Sequence, residues 1–139
     1  MPDQSASESK PPALPRLLVV DDQEGIRTQL RWGLSDRFHV TCADGPGTAL
    51  QARDGPPFDV VTLDLGLPPD PEGSSEGLRL LEVFLDRDPT LKVVVLTGNA
   101  ERQNAIRAVQ LGAYDYYMKP VDLGELGLIL VRASQLLRL

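Results

Sequence analysis

The residues of this chain that could do chemistry are acids, a hydroxyl and a cation, and each follows a short apolar run. In chain order they are Asp21 and Asp22, then Asp64, Thr97 and Lys119. Two like unit charges about 4 Å apart repel by roughly 4 kcal/mol at an effective dielectric of about 20. Carboxylates gathered in one place therefore need positive charge beside them, and Lys119 supplies only one unit of it.

The chemistry that this set favours is phosphoryl transfer assisted by a metal ion. The remaining charge deficit suits a hard divalent cation that takes oxygen ligands and bridges to a phosphate, as Mg²⁺ does. Asp21, Asp22, Asp64 and a backbone carbonyl would form part of its shell. Asp64 would act as the nucleophile while the metal and Lys119 neutralise the transferring group, with Thr97 within reach of a phosphoryl oxygen.

Each of these residues also has an ordinary structural explanation. Asp64 could be a solvated turn residue, Asp21, Asp22 and Thr97 could cap helices, and Lys119 could be a solvated cation before a turn. A shared site is favoured because the residues end four different predicted strands. The carboxyl ends of parallel strands meet at one edge of a sheet, where open α/β folds bind their ligands.

Five apolar runs predict the strands that would position these side chains, over residues 17–20, 38–43, 60–63, 92–96 and 113–118. The third run is rich in β-branched residues and bounded by Gly and Pro, so it predicts a central strand buried on both faces. The second alternates and predicts an edge strand. A long irregular loop, residues 66–76, follows the third strand.

Helical patterns follow each predicted strand, the fourth over residues 100–110. Asp44 or Gly45 can cap the second helix, and Gly112 suits the left-handed end of the fourth. Asp122, with Glu125 three residues later, predicts a capping box at the last helix. Because strand and helix alternate five times, we expect an α/β fold: a doubly wound, five-stranded parallel sheet with helices on both faces.

Composition predicts a soluble globular protein with one domain. The chain has 139 residues, of which 42% are hydrophobic and 24% charged. Residues 1–15 are almost without apolar side chains and predict a disordered tail, so the domain would span residues 16–139. The net charge of −6 argues against direct binding of nucleic acid. The sequence has neither a membrane-spanning run nor an export signal, so we expect a cytoplasmic location, and the single Cys42 predicts a buried small side chain.

From Arg16 to about residue 137 the chain resembles the receiver domain of bacterial two-component response regulators. The family pattern is an acidic pair after the first strand, an aspartate after the third with a proline four residues on, and a Thr or Ser followed by a small residue after the fourth. An aromatic residue three positions before Lys-Pro completes it. The matching residues are Asp21-Asp22, Asp64, Pro68, Thr97-Gly98, Tyr116 and Lys119-Pro120.

The resemblance implies a flavodoxin-like receiver fold with strand order 2-1-3-4-5. It implies that a sensor histidine kinase phosphorylates Asp64, that Asp22, Asp64 and the carbonyl of Gly66 ligate Mg²⁺ with Asp21 assisting, and that Lys119 contacts the phosphate. Thr97 and Tyr116 would form the switch. A cis Lys119-Pro120 peptide and a homodimer through the fourth helix, fifth strand and fifth helix are also expected.

The loop after Asp64 departs from the family pattern, because it is about five residues longer than typical. Its motif, Leu-Asp-Leu-Gly-Leu-Pro-Pro-Asp-Pro-Glu-Gly, resembles that of transcriptional regulators of the PEP-CTERM exosortase system. In those proteins the receiver precedes an ATPase and a DNA-binding module. We expect such an output domain to be absent from this segment.

Two other functions fit parts of the pattern. A phosphatase of the haloacid dehalogenase type also uses a strand-end aspartate and Mg²⁺, but it needs a second acid two residues later, where this chain has Gly66. Sustained turnover of a phosphomonoester would favour it. A receiver fold used only for docking is the other alternative, and failure to bind Mg²⁺ or beryllofluoride would favour that function.

Overall fold

Short apolar runs form the strands, and a helix follows each strand, as predicted. The computed structural model describes residues 13–67, 75–98 and 102–136. Residues 1–12 of the predicted tail, most of the long loop after Asp64, and the start of the predicted fourth helix lie outside the described residues. The strands are β1 (Arg16–Val20), β2 (His39–Ala43), β3 (Val60–Asp64), β4 (Lys92–Thr97) and β5 (Asp115–Met118). The helices are α1 (Glu24–Leu34), α2 (Pro46–Arg53), α3 (Ser75–Arg87), α4 (Arg102–Gln110) and α5 (Leu123–Ser134).

The five strands form one parallel sheet in the order β2-β1-β3-β4-β5. This order confirms the expected topology and the edge position of β2. All five residues of β3 are buried, which confirms its central place. Because every strand runs the same way, the residues that end β1, β3, β4 and β5 meet at one edge of the sheet.

A hydrophobic core covers each face of the sheet, so the doubly wound architecture is confirmed. On one face, α2, α3 and α4 pack against alternate strand residues, and on the other, α1 and α5 pack against the rest. The first core includes Leu18, Val61, Leu63, Val93, Val95, Ala49, Leu81, Phe84 and Ala108. The second includes Leu17, Val19, Val60, Val94, Leu96, Leu30, Leu34, Leu126 and Leu130.

Two strands are shorter than predicted. In each, the first predicted residue donates its amide hydrogen bond to a carbonyl of the preceding helix and not to the neighbouring strand. The amide of Phe38 donates to the carbonyl of Leu34 at 2.9 Å, which closes α1, so β2 begins at His39. The amide of Ala113 donates to Ala108 at 3.0 Å beyond α4, and β5 begins only at Asp115.

Other local predictions are confirmed or corrected by the backbone. Gly112 has a positive φ of 119°, and the Lys119-Pro120 peptide is cis, both as expected. Gly45 is the N-cap of α2. The predicted loop over residues 66–76 is shorter, because Ser75 already begins α3. Cys42 is half-buried rather than buried, because it lies on the edge strand.

The start of α5 follows the predicted capping box only in part. The side chain of Asp122 accepts a hydrogen bond from the amide of Glu125 at 3.0 Å, as expected. The return bond from the Glu125 side chain to the Asp122 amide is not made. The hydroxyl of Tyr117 takes both partners, because β5 brings it beside the helix start.

Close packing holds α3 against the end of β3. A Cβ atom built on Gly77 would lie 2.5 Å from the Cα of Leu65 and 2.7 Å from its carbonyl oxygen. Only glycine permits this approach. The contact places the first turn of α3 directly against the segment that follows Asp64.

None of the helices in the described part of the chain combines the length and the apolar character that a bilayer crossing requires.

Candidate functional site

Three carboxylates meet at the carboxyl edge of the sheet. Asp21 and Asp22 directly follow β1, and Asp64 is the last residue of the neighbouring strand β3. One carboxylate oxygen from each of the three lies within 4.8 Å of the others. Asp21 is fully buried and Asp64 is 6% exposed, while Asp22 is exposed. The structure therefore brings together the acids that the sequence predicted.

The cation of the site is Lys119, the residue after β5. Its ammonium nitrogen lies 3.3 Å from Asp21 Oδ2 and 3.5 Å from Asp64 Oδ1. The amide of Lys119 donates to the carbonyl of Thr97 at 2.8 Å, which fixes its backbone against the end of β4. One ammonium group thus spans two buried carboxylates that come from separate strands.

Backbone amides and one guanidinium hold the acids in place. The amide of Gln23 donates to Asp21 Oδ1 at 2.9 Å, and the amide of Gly66 donates to Asp64 Oδ1 at 3.1 Å. From α1, Arg27 donates to the carbonyl oxygen of Asp21 at 2.8 Å. Sequence patterns did not single out Arg27, because only the packing of α1 on the sheet shows which carbonyl it reaches.

The electrostatics of the site favour a bound cation. Burial, followed by the nearby charge of Asp21, raises the pKa of Asp64 from its ordinary 3.8 to about 6, although Lys119 and the Gly66 amide act in the opposite direction. Burial also raises the pKa of Asp21. The ammonium group alone therefore does not compensate the cluster.

The donor set fits Mg²⁺. Asp21 Oδ2 is buried and lies 3.3 Å from the Lys119 ammonium nitrogen, and within the described residues it has no hydrogen-bond partner that meets the usual geometry. A buried oxygen of this kind is costly unless something binds it. Carboxylate oxygens of Asp21, Asp22 and Asp64 are ligands that Mg²⁺ prefers. The carbonyl of Gly66 lies in the segment that directly follows Asp64.

The predicted switch residues lie beside this cluster on the face covered by α2, α3 and α4. Thr97 ends β4 and is 1% exposed. Tyr116 is opposite Val95 in the register of β4 and β5, is half-buried, and packs against the core of that face. Strand alternation gives Thr97 the same face as Val95. The structure thus places both residues on one face, with Tyr116 further from the sheet edge than Thr97.

Comparisons with known proteins identify the family to which the chain belongs. A family model described as "Response regulator receiver domain" matches residues 17–130. The regulatory protein AtoC of Escherichia coli (strain K12) is 34% identical over 125 residues, which are 89% of this chain and 26% of AtoC. A putative NtrX-like response regulator of Rickettsia conorii is 34% identical across 88% of this chain and 26% of that protein. The chain therefore spans about a quarter of the length of these curated relatives.

Solved structures show the same fold. The receiver domain of NtrX from Brucella abortus has a TM-score of 0.78 and 33% identity, and the match covers 86% of this chain and 98% of that one. A response regulator receiver domain protein from Clostridium thermocellum has a TM-score of 0.79 and 28% identity, covering 87% and 94% of the two chains. The chain belongs to the response regulator receiver domains, the signalling domains of two-component systems.

Proposed function

We propose that this chain is a phospho-accepting receiver in which a sensor histidine kinase phosphorylates Asp64 with the help of Mg²⁺. The observation that carries the proposal is the cluster of Asp21, Asp22 and Asp64, with carboxylate oxygens within 4.8 Å of one another and Lys119 beside two of them. Structural stability alone gives no reason to gather three acids in this way, because each raises the cost of ionising the next.

In the transfer step an oxygen of Asp64 bonds to phosphorus while the bond between phosphorus and the kinase histidine nitrogen breaks. The nitrogen keeps the electron pair of that bond. Asp64 must be ionised to attack, and a pKa of about 6 leaves most of it ionised at neutral pH. Bound Mg²⁺, held by Asp22, Asp64 and the Gly66 carbonyl with Asp21 assisting, would supply charge neutralisation to the transferring group.

Lys119 contributes positive charge that is already in place. Its ammonium group lies 3.5 Å from Asp64 Oδ1, so it can stabilise the negative charge that develops on the phosphoryl oxygens during transfer. The short bond from its amide to Thr97 limits its movement. Lys119 and Asp64 are therefore the catalytic residues of the proposal, and Thr97 offers its hydroxyl to the product.

The output of phosphorylation would be a shift in the population of two conformations. The phosphoryl group attracts the hydroxyl of Thr97, and Tyr116 then turns into the space beside it. This proposal is supported by the shared face of the two residues and by the half-buried position of Tyr116. The change would reach the surface of α4, β5 and α5, where Ile106, Val109 and Leu128 expose apolar side chains suited to a homodimer.

The regulated process is proposed to be transcription, through an output domain outside this segment. Among the relatives is the DNA-binding transcriptional regulator NtrC of Proteus hauseri, 32% identical over 117 residues that make up 24% of that protein. The narrower likeness to PEP-CTERM regulators rests on the loop motif alone and stays a prediction.

The test is labelling with acetyl phosphate and Mg²⁺, followed by intact-mass measurement. We expect the mass of one phosphoryl group on the wild-type chain, none with Asp64→Asn, and undiminished labelling with Asp86→Asn, which changes an exposed acid on α3. Labelling that survives Asp64→Asn would refute the acceptor. A wild-type chain that binds neither Mg²⁺ nor beryllofluoride would favour a docking module instead.

A further inference from the structure

The hydroxyl of Tyr117 joins the end of β5 to the start of α5. It accepts a hydrogen bond from the amide of Asp122 at 3.1 Å and donates one to Glu125 Oε1 at 2.8 Å. Glu125 is tied to the same place, because its own amide donates to Asp122 Oδ1 at 3.0 Å. The end of β5 and the first turn of α5 are thus joined by one closed set of hydrogen bonds among Tyr117, Asp122 and Glu125.

The segment enclosed by these bonds carries Lys119. Tyr117 lies two residues before Lys119, and Asp122 lies three residues after it. Between them run the cis Lys119-Pro120 peptide and Val121. The Tyr117 hydroxyl therefore fixes the two ends of the loop whose ammonium group lies 3.3 Å from Asp21 and 3.5 Å from Asp64.

Packing alone does not require this hydroxyl. The ring of Tyr117 packs against the core covered by α1 and α5, and a phenylalanine or leucine would fill that role. The Tyr117 hydroxyl oxygen adds the hydrogen bonds to Asp122 and Glu125 that join the two ends of the loop. A tyrosine hydroxyl keeps its proton at neutral pH, and burial and the bond to Glu125 raise the pKa of Tyr117 further, so the hydroxyl remains a donor.

We infer that Tyr117 is a positioning residue, whose hydroxyl holds the loop so that the Lys119 ammonium stays between Asp21 and Asp64. The inference rests on the proposed function, because phosphorylation of Asp64 is its readout. A residue that holds a catalytic cation acts through geometry, and a displacement of about 1 Å at such a group can lower a rate by up to about 100-fold.

The experiment measures the rate constant of phosphorylation at saturating acetyl phosphate and Mg²⁺, at a temperature where circular dichroism shows every variant folded. Tyr117→Phe should lower this rate constant about 10-fold. Tyr114→Phe is the matched control, since it removes a tyrosine hydroxyl near β5 that takes no part in the loop, and it should keep the wild-type rate. A purely structural role for Tyr117 would lower the unfolding temperature and leave this rate unchanged.

Glu125 provides a second, independent arm. Glu125→Gln keeps an acceptor for the hydroxyl and should keep most of the wild-type rate, whereas Glu125→Ala should lose part of it. In the double variant Tyr117→Phe/Glu125→Ala the rate should fall no further than in Tyr117→Phe, because both changes break one connection. If Tyr117→Phe fails to fold, the comparison of Glu125→Gln with Glu125→Ala tests the inference without it, and equal rates in these two variants would overturn the positioning role.

The outcomes separate this inference from the proposed function. A wild-type rate in folded Tyr117→Phe, or independent losses from the two changes, would overturn the positioning role while leaving Asp64 as acceptor. A wild-type chain that takes no phosphoryl group at all would overturn both.

Discussion

Lys119 Nζ lies 3.5 Å from Asp64 Oδ1, although Lys119 follows β5 and Asp64 ends β3, with β4 between these strands in the sheet. The same nitrogen lies 3.3 Å from Asp21 Oδ2. The sheet order thus brings one cation to acids from two other strands. Because Asp21 and Asp64 are almost entirely buried, this cation acts where water screens charge weakly.

Removing the Lys119 cation should slow the chemistry strongly. Lys119→Met is expected to reduce the rate of Asp64 phosphorylation by acetyl phosphate by about 100-fold, because the charge that develops on the phosphoryl oxygens loses a fixed partner. Lys92→Met removes an ammonium group at the opposite end of the sheet and should leave the rate unchanged. Equal rates for wild type and Lys119→Met would show that the ammonium group takes no part.

The raised pKa of Asp64 predicts how stability depends on pH in the absence of metal. Its folded-state pKa of about 6 lies above its ordinary 3.8, so the folded chain holds a proton that the unfolded chain has released. The resulting stabilisation is complete below the ordinary pKa and is lost as pH rises through about 6. Between about pH 4.5 and about pH 7.5 we expect wild type to lose about 2 kcal/mol relative to Asp64→Asn.

Urea unfolding of both chains at pH 4.5, 6 and 7.5 measures that difference, with the pH values chosen on either side of the pKa of about 6. Mg²⁺ should remove the loss at high pH, and its affinity should weaken as pH falls below about 6, because protonation neutralises Asp64. A pH-independent difference between the two chains would contradict a raised pKa.

Two glycines in helices should respond to alanine in opposite directions. Gly77→Ala places a Cβ against the backbone of Leu65, which cannot move away cheaply, so we expect a loss of about 2–3 kcal/mol. Gly25 in α1 has no atom within 4 Å of its built Cβ, and Gly25→Ala should stabilise by up to about 1 kcal/mol. Chemical denaturation of both variants checks the contrast, and equal effects would argue against the close approach of α3 to β3.

Thr62 in β3 carries a buried hydroxyl that has no hydrogen-bond partner among the described residues. Thr62→Val replaces that hydroxyl by a methyl group of similar size and should stabilise the fold by about 1 kcal/mol. Thr48 is the matched contrast, because its hydroxyl donates to Asp44 at 2.8 Å and accepts from two amides at the start of α2. Thr48→Val should destabilise by about 1 kcal/mol. A destabilised Thr62→Val would show that the hydroxyl is satisfied.

The positions of the site residues could be predicted because strand ends in a parallel sheet share an edge. The buried run before Asp64 and the alternation of strands and helices were sufficient to predict that these residues share one edge. The strand order came from the family resemblance, since periodicity within a strand says nothing about its neighbours. The strand that carries Tyr116 could be placed, but its packing against one core depends on the helices that cover that face.

Hydrogen bonds between different helices and strands could not be predicted from sequence patterns. Asp122 was predicted to cap α5 because capping is local, yet the partner of Glu125 was wrong, because Tyr117 reaches the helix through the tertiary fold. The bond from Arg27 to the carbonyl of Asp21 was missed for the same reason.

The acceptor site itself can be mapped chemically. Borohydride reduces an acyl phosphate on aspartate to the alcohol of homoserine, which peptide mass spectrometry locates in the chain. After treatment with acetyl phosphate and Mg²⁺, we predict homoserine at position 64 and at no other aspartate. Homoserine at Asp21 or Asp22 instead, or an unmodified position 64 in a chain that has gained a phosphoryl group, would contradict the central claim.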